Sequence, residues 1–173
     1  MADTLAADIK ASLAWLFTES GDLTSVHDNA ALEFRATFAD GTSANQADRL
    51  WYDEREVAAS SNDDLDLTAL PRTLFGNALS VEFAKIKAIL VINLSTTSGD
   101  VLRVGGAGSG SAFAAPFAGD ADAQVEAPPE SPLLLVNRGD GWTVTAGTGD
   151  ILRIQNTAAS PVSYRIAIIG TSA

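Results

Sequence analysis

Residues 85–94 read KIKAILVINL, and on an extended chain Ile86, Ala88, Leu90, Ile92 and Leu94 fall on one face. The other face opens with Lys85 and Lys87 and closes with Ile89 and Val91. A strand that is apolar on both faces toward one end lies at the centre of a sheet or beneath a neighbour. Its longest nearly apolar stretch, AILVINL at 88–94, is far too short to span a bilayer. The run is thus the expected centre of a β domain.

The flanks carry the same grammar: short apolar runs parted by turn signals, the spacing of an all-β sandwich or barrel. In LEFRATFA (32–39), Leu32, Phe34, Ala36 and Phe38 oppose Glu33, Arg35 and Thr37. RLWYDEREVA (49–58) reads as a half-exposed strand, with Leu50, Tyr52 and Val57 among charges. In NDDLDL (62–67), Leu65 and Leu67 alternate with Asp64 and Asp66. Three further strands are expected from PLLLV (132–136), from GWTVTA with GDILRIQN (141–156), and from VSYRIAIIG (162–170). The last sets Val162, Tyr164, Ile166 and Ile168 against Ser163 and Arg165.

Two stretches echo each other, TSGDVLRVGG (97–106) and TGDILRIQN (148–156). In each, Gly-Asp makes a tight turn, because Gly allows positive φ and Asp bonds its own backbone. The next residues put Leu102 and Val104, or Leu152 and Ile154, on one face, and Arg103 or Arg153 on the other. Repeated strand entries into one sandwich account for the echo without a ligand. Between the copies, GGAGSGSAFAAPFAGDADA is too rich in Gly, Ala and Ser for a packed element. Residues 105–124 are expected to form a long mobile loop whose only large side chains are Phe113 and Phe117.

The N-terminal stretch admits two readings. Leu5, Ile9, Leu13 and Leu16 line up on a helix, while Ile9, Ala11, Leu13, Trp15 and Phe17 alternate with Asp8, Lys10, Ser12, Ala14 and Leu16 on a strand. The strand is preferred, since no helix C-cap follows and the remainder is β. The expected organisation is an arm or first strand over 1–26, then one domain over 27–173. That domain is an antiparallel β-sandwich or jelly-roll-like barrel.

At 173 residues the chain suits one domain, and a chain of this size buries about 70% of its unfolded surface. Eleven Lys and Arg against twenty-two Asp and Glu give a net charge of −11, which repels phosphate backbones and anionic lipid. Neither nucleic acid nor membrane is an expected partner. MADTLAADIK has no basic n-region and does not read as a signal peptide, so folding in a cytoplasm is expected. With no Cys there is no disulfide and no thiol nucleophile.

The single His, His27, is read as a solvated loop residue; it precludes a His-rich metal centre and most catalytic triads. Asp63, Asp64 and Asp66, or Asp120, Asp122 and Glu126, could pair as glycosidase carboxylates or gather Ca²⁺. Neither set matches a calcium-loop pattern, and solvation is the better reading. GGAGSG lacks the Lys-Ser/Thr and the helix of a phosphate loop. No catalytic residue, cofactor or metal ligand is therefore assigned, and the chain is not expected to be an enzyme. What remains unspent is apolar: Leu13, Trp15, Phe17, Phe113 and Phe117 are the candidate interaction residues. Trp51 and Trp142 could instead stack on sugars in a lectin-like tail or receptor-binding module.

Several phrases together resemble a group of small structural proteins of tailed bacteriophages. They are GTSANQADRLWYDEREVAASSNDDLDL, LFGNALSVEFAKIKAILVINLSTTSGDVLRVGG, SAFAAPFAGDAD and GWTVTAGTGDILRIQNTAASPVSYRIAIIGTSA, spanning roughly 40–173. The resemblance implies a virion component, a capsid decoration (cement) protein on the head surface. Its implied partner is the major capsid protein, and a symmetry-matched homotrimer is the expected way to occupy three-fold positions of such a shell. It brings no catalytic residues.

Overall fold

In a computed structural model, residues 4–74, 76–108 and 110–173 are described. In chain order the strands are β1 (Ala7–Ser20), β2 (Ser25–Phe38), β3 (Arg49–Val57), β4 (Asn62–Asp66), β5 (Leu70–Leu74), β6 (Asn77–Val81) and β7 (Lys85–Asn93). After them come β8 (Leu102–Gly105), β9 (Gln124–Ala127), β10 (Pro132–Val136), β11 (Trp142–Thr143), β12 (Ile151–Asn156) and β13 (Val162–Thr171). The 85–94 run is indeed central: β7 pairs with β10 on one side, with β13 on the other, and with β11 near its start.

The pairing is nested. β3 pairs β13, β4 pairs β12, β7 pairs β10 and β8 pairs β9, all antiparallel. With β5, β6 and β11 set aside, the first strand of the wrap meets the last, the second the next to last, and so inward. This is the winding of a jelly roll. Its two sheets run β10-β7-β13-β3 and β4-β12-β8-β9. Trp51, Ile89, Val91, Tyr164, Ile166 and Ile168 of the first sheet pack against Leu65, Leu102, Val104, Leu152 and Ile154 of the second. Both Gly-Asp units feed this core through adjacent strands, with Ile154 opposite Val104. Their arginines point outward, Arg103 to Glu126 and Arg153 to Asp64.

Alternation along β7 is interrupted once. Ile169 of β13 faces Ala88 but the next residue, Gly170, faces Ile86, so Lys87 is the extra residue of a bulge. The parity switch sends Ile86 to the inner face with Ile89 and Val91, and leaves Ala88 and Leu90 outside. The single apolar face expected for 86–94 is therefore split. The Lys87 stem is buried and its ammonium donates to the Gly139 carbonyl. Burial, then the nearby Lys85 charge, lowers its pKa from the ordinary lysine range. Gly170 has no room for a side chain: a Cβ there would lie 2.1 Å from the Lys85 carbonyl oxygen.

Two expectations need correction. Residues 105–124 are not a loose loop, because Phe113 and Phe117 are only 2% and 9% exposed and belong to the main core. Backbone bonds from Phe113 N to Ile151 O and from Ile151 N to Ser111 O fasten the segment to β12, and Ala115–Phe117 makes a 3₁₀ turn. Small residues let this backbone pass close to the sheet: a Cβ on Gly105 would meet the Ala123 carbonyl at 2.6 Å. Ser109 lies outside the described residues. On β3 it is Trp51, not Tyr52, that faces the core, and its indole N–H donates to the Pro71 carbonyl. That burial removes Trp51 as a sugar-stacking platform; Trp142 is half-buried against the same core.

Candidate functional site

Residues 7–38 form one long antiparallel hairpin. β1 and β2 pair without a break from Ala7↔Phe38 to Ser20↔Ser25. Fourteen residues at strand rise make a ribbon of about 45 Å. The segment 1–26 is thus strand rather than helix from Ala7, and 25–38 is its return leg, so the 26/27 boundary falls inside the hairpin. His27 lies in β2 and not in a loop; its exposed ring is 3.0 Å from the Thr18 hydroxyl.

Period two gives the ribbon two unlike faces. One carries Ile9, Ala11, Leu13, Trp15 and Phe17 opposite Ala36, Phe34, Leu32, Ala30 and Asp28. The other carries Asp8, Lys10, Ser12, Ala14, Leu16 and Thr18 opposite Thr37, Arg35, Glu33, Ala31, Asn29 and His27, so it is polar apart from the exposed Leu16 and the two alanines. On this polar face Arg35 forks onto Asp8, at 3.2 and 2.7 Å, and the hydrogen bond holds the Asp8 carboxyl below its usual range.

Only the root of the apolar face is covered. Ile9, Ala36 and Phe38 pack with Ala47 and Ala88, with Leu134, Val136 and Ile169 alongside. Every residue from Lys10 to Arg35 is exposed. Leu13 is 67% exposed, Trp15 43%, Phe17 62%, Leu32 70% and Phe34 50%. Five large apolar side chains therefore run outward in one stripe, over both legs. Of the five candidate interaction residues, the structure gathers Leu13, Trp15 and Phe17 here and commits Phe113 and Phe117 to the interior. The second leg's contribution, Leu32 and Phe34, was visible as an alternating strand; what was missing was its pairing with the first.

The sheet on which the root rests is apolar on its outside too. Three rungs cross it: Val136, Ala88, Ile169 and Leu50; then Leu134, Leu90, Ala167 and Tyr52; then Pro132, Ile92, Arg165 and Glu54. The hairpin root covers the first and reaches Leu134 at the edge of the second. Over the second and third lies an open groove of about 450 Å³, lined by Tyr52, Leu90, Ile92, Arg165 and Ala167 among others.

The charged candidates are spoken for one by one. Asp63 accepts from Arg55 Nε at 2.6 Å, Arg55 Nη2 at 2.9 Å and the Tyr164 hydroxyl at 2.7 Å, tying β3 and β13 to β4 across the sandwich. Burial opposes ionisation of Asp63, but these donors outweigh it and its pKa is lowered. Burial, then the Asp63 carboxylate, pushes the Tyr164 phenol far up. Asp64 pairs with Arg153, Asp66 caps Thr68, Asp120 accepts from the Asp122 backbone, and Glu126 pairs with Arg103. Asp100 accepts from the Ser95 and Ser160 hydroxyls, whereas Asp150 accepts from Gly147 N. The carboxylates with these bonds serve turns and strand pairs, and the buried Oδ1 of Asp150 is left without a hydrogen-bond partner. Among the described residues no three His, Cys, Asp or Glu side chains converge as metal ligands.

No protein-family model matches the sequence, and the search of curated proteins finds no match.

Proposed function

We propose that this chain is a structural protein of a tailed-bacteriophage virion. In this reading it is a capsid decoration (cement) protein that binds the major capsid protein on the outside of the head, as a homotrimer, and stabilises the shell. One observation carries the adhesive part of the reading: a ribbon exposed from Lys10 to Arg35, with an apolar stripe along one face. A lone two-stranded hairpin is marginal in water, and its open edges invite pairing. Such an element gains its order from a protein surface. The phrase-level resemblance over 40–173 supplies the virion setting, and jelly rolls recur in viral capsid proteins. That second support is fold-level analogy, which is why the hairpin and not the fold bears the argument. The charge of −11 suits a protein kept soluble at high copy number.

The test is cosedimentation with purified heads. Wild-type chain is expected to bind saturably. A variant in which 13–32 is replaced by Asn-Gly, closing the hairpin at the Ser12↔Glu33 pair, should keep its body intact and lose binding. Equal binding by both proteins, or none by the wild type, would overturn the proposal.

A further inference from the structure

Among the described residues, two extended apolar surfaces lie uncovered and apart from each other. One is the distal stripe of the hairpin, from Leu13 to Phe17 and from Leu32 to Phe34. The other is the groove on the outer sheet face, with an apolar floor of Leu90, Ile92 and Ala167, the exposed Tyr52 on its wall and a charged rim of Asp53 and the Arg165–Glu54 ion pair. The ribbon does not fold back onto the groove: its pairs run without a bulge from Ala7↔Phe38 to Ser20↔Ser25, its root is packed in place and residues 10–35 are exposed.

We infer that the hairpin of one copy docks in the outer-sheet groove of a second copy of this chain. The inference rests on the hairpin being the adhesive element proposed above and places its apolar stripe in the contact between copies, so that the assembled oligomer is what meets the shell.

Three observations select a second copy. First, the chemistry of the contact already exists within the chain. The root of this same apolar face sits on the first rung of this same sheet face, and the groove begins one rung further on. That rung is two residues away, roughly 7 Å. The stripe is thus matched to the surface it would cover. Second, the areas fit. Five side chains, each about half exposed or more, offer roughly 500–600 Å² of apolar surface. That is the upper end of the patches monomers tolerate, and most of the ~800 Å² per partner of a standard interface. Third, the pairing is reciprocal: stripe on groove leaves neither surface bare, whereas stripe on stripe leaves every groove open. Two such contacts about a two-fold close a dimer, and repeated head-to-tail they close a larger ring; in either case each copy uses both of its surfaces.

Complementation tests this directly. Leu13→Glu/Phe17→Glu disables the stripe, and Ile92→Glu disables the groove; Tyr52→Glu is the groove variant to use if Ile92→Glu alters the melting curve. These positions lie outside the main core, so circular dichroism and melting should match wild type. By sedimentation velocity, wild type is expected to form a closed oligomer, and each variant alone to be monomeric. Their equimolar mixture should form a heterodimer, through the intact stripe of one and the intact groove of the other. Monomeric wild type overturns the inference, as does a groove variant that assembles like wild type. A mixture that stays monomeric although both variants are folded also overturns it, because the intact stripe of one then finds no seat in the intact groove of the other. Head binding by a monomeric wild type would sink the inference and leave the decoration role standing. Assembly with complementation but without head binding would do the reverse.

Discussion

Ile154 and Leu13 occupy the same kind of position, inside a strand on its apolar face, yet the first is fully buried and the second is two-thirds exposed. The body and the hairpin obey one alternation rule; they differ in whether a second layer lies opposite. In the body, the sheet containing β12 meets the sheet containing β7, and every inward side chain of one finds partners from the other. Beyond Ile9 and Ala36, the hairpin's apolar face has no covering layer among the described residues. Alternation therefore marks a face to be covered, and says nothing of who covers it.

The contrast can be broken most forcefully at Trp51. Trp51→Ala should cost about 3–5 kcal/mol in chemical denaturation, through the cavity and the Pro71 carbonyl left without its donor. Phe113→Ala should cost a similar amount, about 3–5 kcal/mol, although it lies in a Gly- and Ala-rich segment. An effect near zero there would return the segment to a loose loop. Gly170→Ala is expected to cost about 1–3 kcal/mol, since the Lys85 carbonyl must move.

A smaller effect belongs to the polar tie across the sandwich. Tyr164→Phe should lose about 1 kcal/mol at neutral pH. The folded-state pKa of Asp63 is depressed, so its contribution is present above the ordinary carboxylate range, about pH 4, and disappears as pH falls through the folded value. Asp63→Asn should accordingly flatten the acid limb of stability measured against pH. Smallest of all, Leu13→Ala should shift monomer stability by less than about 0.5 kcal/mol. A large loss there would mean that the stripe already has a cover within the chain, and the contrast would fail.

Much of this was legible in advance, for a local reason. Val162, Tyr164, Ile166 and Ile168 face inward as their spacing requires, as do Leu65 and Leu67, and the twin Gly-Asp units enter neighbouring strands. The misreadings share a different cause. Phe113 and Phe117 looked free because the residues around them are small, but small residues also let a backbone lie close to a core. Lys87 looked like part of a regular polar edge, and a bulge defined by its partner strand turned it into the pivot of a parity change. Leu13, Trp15 and Phe17 were singled out as adhesive, while Leu32 and Phe34 were read only as a strand, because the register joining the two legs is a property of the pair.

Periodicity, turn chemistry and charge, all carried within a few residues of chain, determined that this protein is β throughout and which side chains share a face. The order of strands in each sheet, the bulge at Lys87 and the uncovered length of the hairpin came only from tertiary structure. The physical reason is that a strand specifies its two faces by itself, whereas burial is a relation between segments distant in sequence. Val104 and Ile154, or Tyr52 and Ala167, become neighbours only when the whole chain is wound.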